Sequence, residues 1–277
     1  MTYEVERIAA FCAGDQGGNP AGVVIAAAMP PEADMRRIAA EVGFSETVFA
    51  APQAEGYRVR YFSPESEVPF CGHATIALGA ALALRTGGGV FPLTTNHTSI
   101  SVEGSKQGDV IAAALQSPAT SSKPAPDALV DEALALFGYR RGDLDSRIPP
   151  ALAHGGADHL VLALSSRAAL SAMKYELDAG RELMNRWGLV TIALVHTENQ
   201  QRFHARNPFA SGGVYEDPAT GAAAAAFAGY LRDIGWPHGG AIEILQGDDM
   251  DVPSRLRAEI PAEKGSSIRI SGTARVM

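Results

Sequence analysis

Two runs of small residues constrain this chain more than any other feature. They are Ala74-Thr75-Ile76-Ala77-Leu78-Gly79-Ala80-Ala81-Leu82-Ala83-Leu84 and Gly221-Ala222-Ala223-Ala224-Ala225-Ala226-Phe227-Ala228. Each is apolar on every side, which predicts a central helix wrapped by sheet rather than one lying on a surface. Laying Cys71-Gly72-His73-Ala74 over Pro218-Ala219-Thr220-Gly221, an offset of 147, superimposes the starts of both runs. Each half then reads as strands, a loop, a small-residue helix, and strands again. The expectation is an α/β (α+β) fold of two pseudo-symmetric domains, each a curved or barrel-like sheet around a central helix, facing a shared cleft. The boundary is placed at residues 1–118 and 119–277, with the C-terminal strand able to cross back to the first domain.

Local patterning fills in this plan. Glu4–Phe11 and Ala21–Ala28 read as strands on either side of glycine-rich turn chemistry at Gly14–Gly18. Met35, Ile38, Ala39 and Val42 share one face of a helix over Glu32–Val42, which Gly43 ends. Strands follow at Thr47–Ala50 and Tyr57–Phe62, then a loop at Ser63–Pro69 and the first small-residue helix from near Gly72. Further strands are expected at Val90–Thr95, Ser99–Glu103 and Val110–Leu115. The Ser- and Pro-rich stretch Ser117–Pro126 is the most linker-like segment. Beyond it come a helix at Asp127–Phe137, strands near His159–Leu164, Thr191–His196 and Arg202–Arg206, and the second small-residue helix over Thr220–Leu231. Strands at Ile242–Gln246, Arg255–Ile260 and Ser267–Ile270 close the chain.

Composition narrows the partners. Lys and Arg number 23 against 31 Asp and Glu, a net charge of −8, so a large basic footprint for nucleic acid is not expected. The small-residue runs fall short of the ~20 residues needed to cross a bilayer. The opening Met1–Arg7, charged and alternating, is unlike a signal peptide. Cys12 and Cys71 are the only cysteines, which makes neither a disulfide framework nor a zinc cluster. A soluble protein of a reducing compartment, the cytoplasm, is the plain expectation.

Chemistry concentrates at the two helix starts. Pro69-Phe70-Cys71-Gly72-His73-Ala74-Thr75 and Glu216-Asp217-Pro218-Ala219-Thr220-Gly221-Ala222 both put glycine and small residues where unpaired helix N–H groups and the dipole attract anions. His73 reads either as a ligand donor or as a cap or satisfied core residue. Asp217, followed by proline, reads by itself as a helix N-cap. Glu46 lies among apolar residues in Gly43-Phe44-Ser45-Glu46-Thr47-Val48-Phe49, which reads as a strand. It is either on the polar face of that strand, which sequence alone favours, or in a dry pocket suited to general-base work. Nucleotide-binding GxGxxG and GxxxxGK[ST], metalloprotease HExxH and hydrolase GxSxG patterns are absent, and His154 and His159 have the wrong spacing for a helical metal pair. Proton transfer by side chains is the chemistry left.

The ordered set Gly18-Asn19-Pro20-Ala21-Gly22-Val23-Val24, Gly43–Phe49, Arg60-Tyr61-Phe62-Ser63-Pro64, Val68–Thr75 and Glu216–Gly221 resembles the phenazine-biosynthesis PhzF-like family, with Gln246-Gly247 as a further element. The resemblance implies a diaminopimelate-epimerase-like fold and an isomerase that uses neither metal nor organic cofactor. It implies Glu46 as general acid/base, with His73 and Asp217 positioning the substrate. Backbone amides at Gly72, His73, Gly221 and Ala222 would hold a substrate carboxylate, with Cys71 and Thr220 lining the site. A homodimer acting on a small anionic substrate, as in phenazine biosynthesis, is implied as well. The family commonly has serine where this chain has Ala222, and an arginine where Asp251-Val252-Pro253-Ser254 has none. Both changes bear on which substrate is taken.

Two other functions compete. Related epimerases use one cysteine per half; Cys71 occupies the first such position, but Pro218 is its counterpart in the superposition above and no cysteine follows residue 71. A Cys71-dependent epimerase would therefore lack its second acid. A non-catalytic small-molecule binding or regulatory protein would keep the fold and the anion site; the presence of Glu46, His73 and Asp217 together argues against it.

Overall fold

A computed structural model describes residues 3–277; Met1 and Thr2, which open the segment read above as unlike a signal peptide, lie outside the described residues. The chain divides into two compact units, Met1–Gln116 with Ser271–Met277, and Ser117–Ile270. No helix among the described residues is long and apolar enough to cross a membrane.

The first unit contains β1 (Glu6–Cys12), β2 (Asn19–Ile25), α1 (Glu32–Val42), β3 (Thr47–Gln53), β4 (Gly56–Phe62), β5 (Glu67–Val68), α2 (Gly72–Thr86), β6 (Gly89–Thr94), β7 (Ser99–Gln107) and most of β8 (Val110–Ala119). β1 pairs antiparallel with β2, β2 parallel with β3, β3 antiparallel with β4, β4 parallel with β6, and β6 antiparallel with β7. α2 touches β1, β2, β3 and β7, strands spread along that series, so the sheet curves around it. Every residue from Gly72 to Ala83 is buried. The small side chains make this possible. A Cβ on Gly79 would stand 2.5 Å from Val102 Cγ2, and one on Gly104 of β7 only 2.1 Å from the Gly79 carbonyl oxygen. Outside the sheet, α1 packs Met35, Ile38 and Ala39 on Val24, Phe49 and Phe62, and Gly43 caps it in the left-handed region at φ 70°.

The second unit contains β9 (Ser121–Pro124), α3 (Asp127–Phe137), β10 (Ala151–His154), β11 (Asp158–Leu164), α4 (Arg167–Ser171), α5 (Leu177–Trp187), β12 (Thr191–Asn199), β13 (Arg202–Phe209), β14 (Val214–Asp217), α6 (Gly221–Asp233), β15 (Ala241–Gln246), β16 (Ser254–Glu259) and the start of β17 (Ser267–Val276). Its pairings repeat the first unit's order: β10 antiparallel to β11, β11 parallel to β12, β12 antiparallel to β13, β13 parallel to β15, β15 antiparallel to β16. α6 lies against β9, β10, β11, β12 and β16, as α2 lies against its own strands. The α/β class and the pseudo-symmetric pair of helix-centred sheets expected from the sequence are both present. β17 ends in the first unit, where its Ala274 faces Ala10 on β1.

Three expectations change. The helix starts Gly72 and Gly221 lie 149 residues apart, two more than the superposition assumed, so the N-cap residues Cys71 and Thr220 correspond and Pro218 is not the counterpart of Cys71. Ser117–Pro126 holds the end of β8 and all of β9 rather than a linker: β9 pairs with β10, and Ser117 Oγ and Thr120 Oγ1 bond the backbone of Ile268 and Ser266. Ladder bonds outweigh the strand-breaking composition. A helix, α5, fills Leu177–Trp187, to which the patterning assigned nothing; Gly180, Leu183 and Met184 are its buried face.

Candidate active site

Glu46 stands between the cap of α1 and the first residue of β3, not within the strand. Its carbonyl accepts from Gly22 N at 3.2 Å, which anchors the loop on β2. The residue is 6% exposed, so the surface position favoured by sequence alone is not the one adopted. The flanking apolar residues Val48 and Phe49 enter the core, and the loop turns the side chain inward with them. Among the described residues nothing hydrogen-bonds its Oε2. His73 Nε2 lies 3.4 Å from that oxygen, at the limit of contact and without hydrogen-bond alignment.

His73 sits in the first turn of α2, 4% exposed. Its Nε2 is also 3.4 Å from Ser45 Oγ, and its Nδ1 is 3.3 Å from Cys71 Sγ. The turn is braced from below. Thr75 Oγ1 donates to the Cys71 carbonyl at 2.7 Å, so the buried Tyr61 hydroxyl, also at 2.7 Å, donates to Thr75. Burial raises the Tyr61 pKa well above the ordinary phenol range and keeps that donor protonated. Cys71 gives α2 no side-chain cap, and no acid occupies its first turn. Glu46, Cys71 and His73 offer three metal-capable atoms within 4.8 Å of one another.

The second unit places its own cluster at the start of α6. Asp217 ends β14 and is 6% exposed; it is not the helix N-cap, a position that Thr220 takes. Pro218 and Ala219 separate the two, and Thr220 Oγ1 donates to Asp217 Oδ2 at 2.5 Å. Gly221 is buried, Ala222 half-buried, and no acid lies in the first turn of α6.

Two supports of this turn have no role in the sequence reading. Gln246, 1% exposed, donates from Nε2 to the Asp217 carbonyl at 2.6 Å and to Thr220 Oγ1 at 3.1 Å, while its Oε1 accepts from Thr220 N at 3.2 Å. A carbonyl needs the donor end and an amide the acceptor end, so the side-chain orientation is fixed. The amide donates to the Thr220 hydroxyl, which therefore turns its own proton to Asp217. Gly247 follows at φ 77°, and a Cβ there would meet Val252 O at 2.2 Å. Arg206, buried on β13, holds Glu216 through Nε–Oε1 at 2.9 Å and Nη2–Oε2 at 2.5 Å, and donates to the Ser171 carbonyl at 2.8 Å. That pair fixes β14 one residue before Asp217. The acidic pair Glu216-Asp217 and the Gln246-Gly247 element were visible in the sequence; their partners were not.

Glu46, Cys71 and His73 are thus brought together in one unit, and Asp217, Thr220, Gly221 and Ala222 in the other. A family model described as phenazine biosynthesis-like protein matches residues 8–277. The chain belongs to that family. It is 33% identical over 271 residues to the trans-2,3-dihydro-3-hydroxyanthranilate isomerase of Pseudomonas fluorescens, an alignment covering 96% of this chain and 94% of that one. An uncharacterised isomerase of Mesorhizobium japonicum is 31% identical, with 93% of this chain and 91% of that one covered. Among solved structures, a PhzF-family phenazine biosynthesis protein of Bacillus anthracis matches with a TM-score of 0.86 at 23% identity, covering 100% of this chain and 98% of that one. A hydroxyproline epimerase of Agrobacterium vitis shares the fold at a TM-score of 0.66 and 10% identity, with 100% and 91% covered. The family's named relatives are isomerases, and this chain is an isomerase of the family.

Proposed function

We propose that the protein moves a proton between carbon atoms of a small carboxylate-bearing substrate without a cofactor, with Glu46 as the general acid/base. One observation carries this reading: Glu46 Oε2 is buried with no described hydrogen-bond donor, beside His73 at the amide end of α2. An acceptor left without a donor in a dry site is ready for a substrate proton. Glu46 takes the proton from one carbon and returns it to another; His73 Nε2 bonds a polar group of the substrate. The amides of Gly72 and His73 at the start of α2, and separately those of Gly221 and Ala222 at the start of α6, are the anion-binding groups of their own units. Asp217, turned and braced by Thr220 and Gln246, accepts from a substrate N–H or O–H.

The first compound to offer is trans-2,3-dihydro-3-hydroxyanthranilate, the substrate in the name of the Pseudomonas fluorescens relative. Ala222 supplies no hydroxyl, so analogues with a different polar group belong in the same panel. Glu46→Gln keeps the shape and removes the base; turnover is expected to fall about a hundred- to ten-thousandfold. Full activity in that variant would remove Glu46 from the mechanism, and loss of activity in Cys71→Ser alone would transfer the role to the thiol.

A further inference from the structure

We propose that Glu46, Cys71 and His73 form a capture site for a thiophilic divalent cation, Zn²⁺ above all, and that the bound ion shuts the enzyme off. The geometry comes from donors already in place. Nε2 of His73 is 3.4 Å from Glu46 Oε2 and 3.9 Å from Cys71 Sγ. Donors on one tetrahedral zinc stand about 3.3–3.6 Å apart, given Zn–N near 2.0 Å and Zn–S near 2.3 Å. The nitrogen–oxygen edge fits as it stands, and the nitrogen–sulfur edge closes by a few tenths of an ångström. The second, independent observation is Glu46 Oε2 itself, a buried oxygen without a hydrogen-bond donor among the described residues, within 4.8 Å of the other two donor atoms.

The donor set selects the ion. One thiolate, one imidazole and one carboxylate suit Zn²⁺ and its spectroscopic substitute Co²⁺, whereas Mg²⁺ and Ca²⁺ prefer all-oxygen shells. All three residues are less than a tenth exposed, so few waters compete for the ion. Three protein ligands leave a fourth position for water. On binding, the Cys71 S–H bond breaks, its proton goes to solvent, and a sulfur–metal bond forms; imidazole and carboxylate each give a lone pair, and nothing is oxidised or reduced. The carboxylate lone pair is then committed to the metal. The loss of activity, though not the binding, rests on Glu46 being the proton carrier.

Binding is therefore measured apart from turnover. Co²⁺ titrated into the purified protein should give an intense near-ultraviolet thiolate-to-cobalt band that saturates at one ion per chain. Zn²⁺ should displace the cobalt and abolish that band. Cys71→Ala should lose the band, and Cys71→Ala and Glu46→Gln should each weaken Zn²⁺ binding, measured calorimetrically, at least about tenfold. Cys12→Ala should keep both band and affinity. Thermal melts of each variant without metal establish that it folds. Absence of the band in the wild-type protein, or unchanged Zn²⁺ affinity in the Cys71→Ala/Glu46→Gln double variant, would overturn the site. A wild-type protein that binds zinc but isomerises nothing in the panel would leave the site standing and sink the proposed reaction instead.

Discussion

Adjacent carboxylates can have opposite fates, as Glu216 and Asp217 show. Glu216 is consumed by Arg206 in a buried two-point pair, while Asp217 is oriented by a hydroxyl that Gln246 directs. Arg206→Met would strand a buried charge, and unfolding in urea should show a loss of about 3–5 kcal/mol; Arg206→Met with Glu216→Leu should recover much of it. Gln246→Met removes two donors and one acceptor but keeps the volume. It should lower kcat more than stability, because Thr220 is then free to turn its proton away from Asp217; equal activity would deny the side chain any positioning role. His159 gives a pH prediction. Its Nδ1 lies 2.7 Å from Thr191 Oγ1, which donates onward to Asn207, so Nδ1 carries the proton and Nε2 is the bare, buried nitrogen without a partner among the described residues. Burial drops its pKa from 6.5 to about 4, against a small opposing pull from Asp158 and a further push down from His154. The unfolded chain binds that proton first, so the stability is fully present above pH 6.5 and is lost as pH falls toward 4, on the order of 3 kcal/mol in all. His159→Gln should flatten that part of a stability–pH curve.

The small-residue helices work as elements only because their partners are small as well. Gly79 on α2 meets a side-chain methyl, whereas Gly104 on β7 meets the helix backbone itself. Gly104→Ala should therefore destabilise more than Gly79→Ala, with the milder one near 1–3 kcal/mol, about the cost of overpacking, in chemical denaturation. α1 and α3 have the bounds their patterns predict, since apolar spacing and a left-handed glycine cap are local signals. α5 carried a comparable signal in Leu177, Gly180, Leu183, Met184 and Trp187. β9 carried none, because its strand character comes from β10 and from the bonds that Thr120 makes to Ser266 and Arg232.

At the scale of the whole molecule, each unit repeats one order of pairings, and the chain's last residues return to the first. Removing Ser271–Met277 strips from Ile8, Ala9 and Ala10 of β1 one of their two partner strands and leaves β2 as the other. Amide exchange in β1 should then accelerate, while Leu162 and Leu194 in the core of the second unit stay protected; uniform loss of protection would show that the units unfold as one.

What the sequence determined by itself was whatever rests on neighbours in the chain: the two small-residue helices, their duplicated setting, the family motifs and the amide-rich helix starts. Burial of Glu46 was left to tertiary structure, because a carboxylate beside apolar residues can face either way until the core claims those residues. So was the meeting of Glu46 with Cys71 and His73, and of Asp217 with Gln246, since nothing local ties residues so far apart in sequence. The two-residue shift between the halves has the same origin. Pro218 and Ala219 form a turn held by Gln246, so the second helix starts at Gly221, and only the paired strands fix where that turn ends.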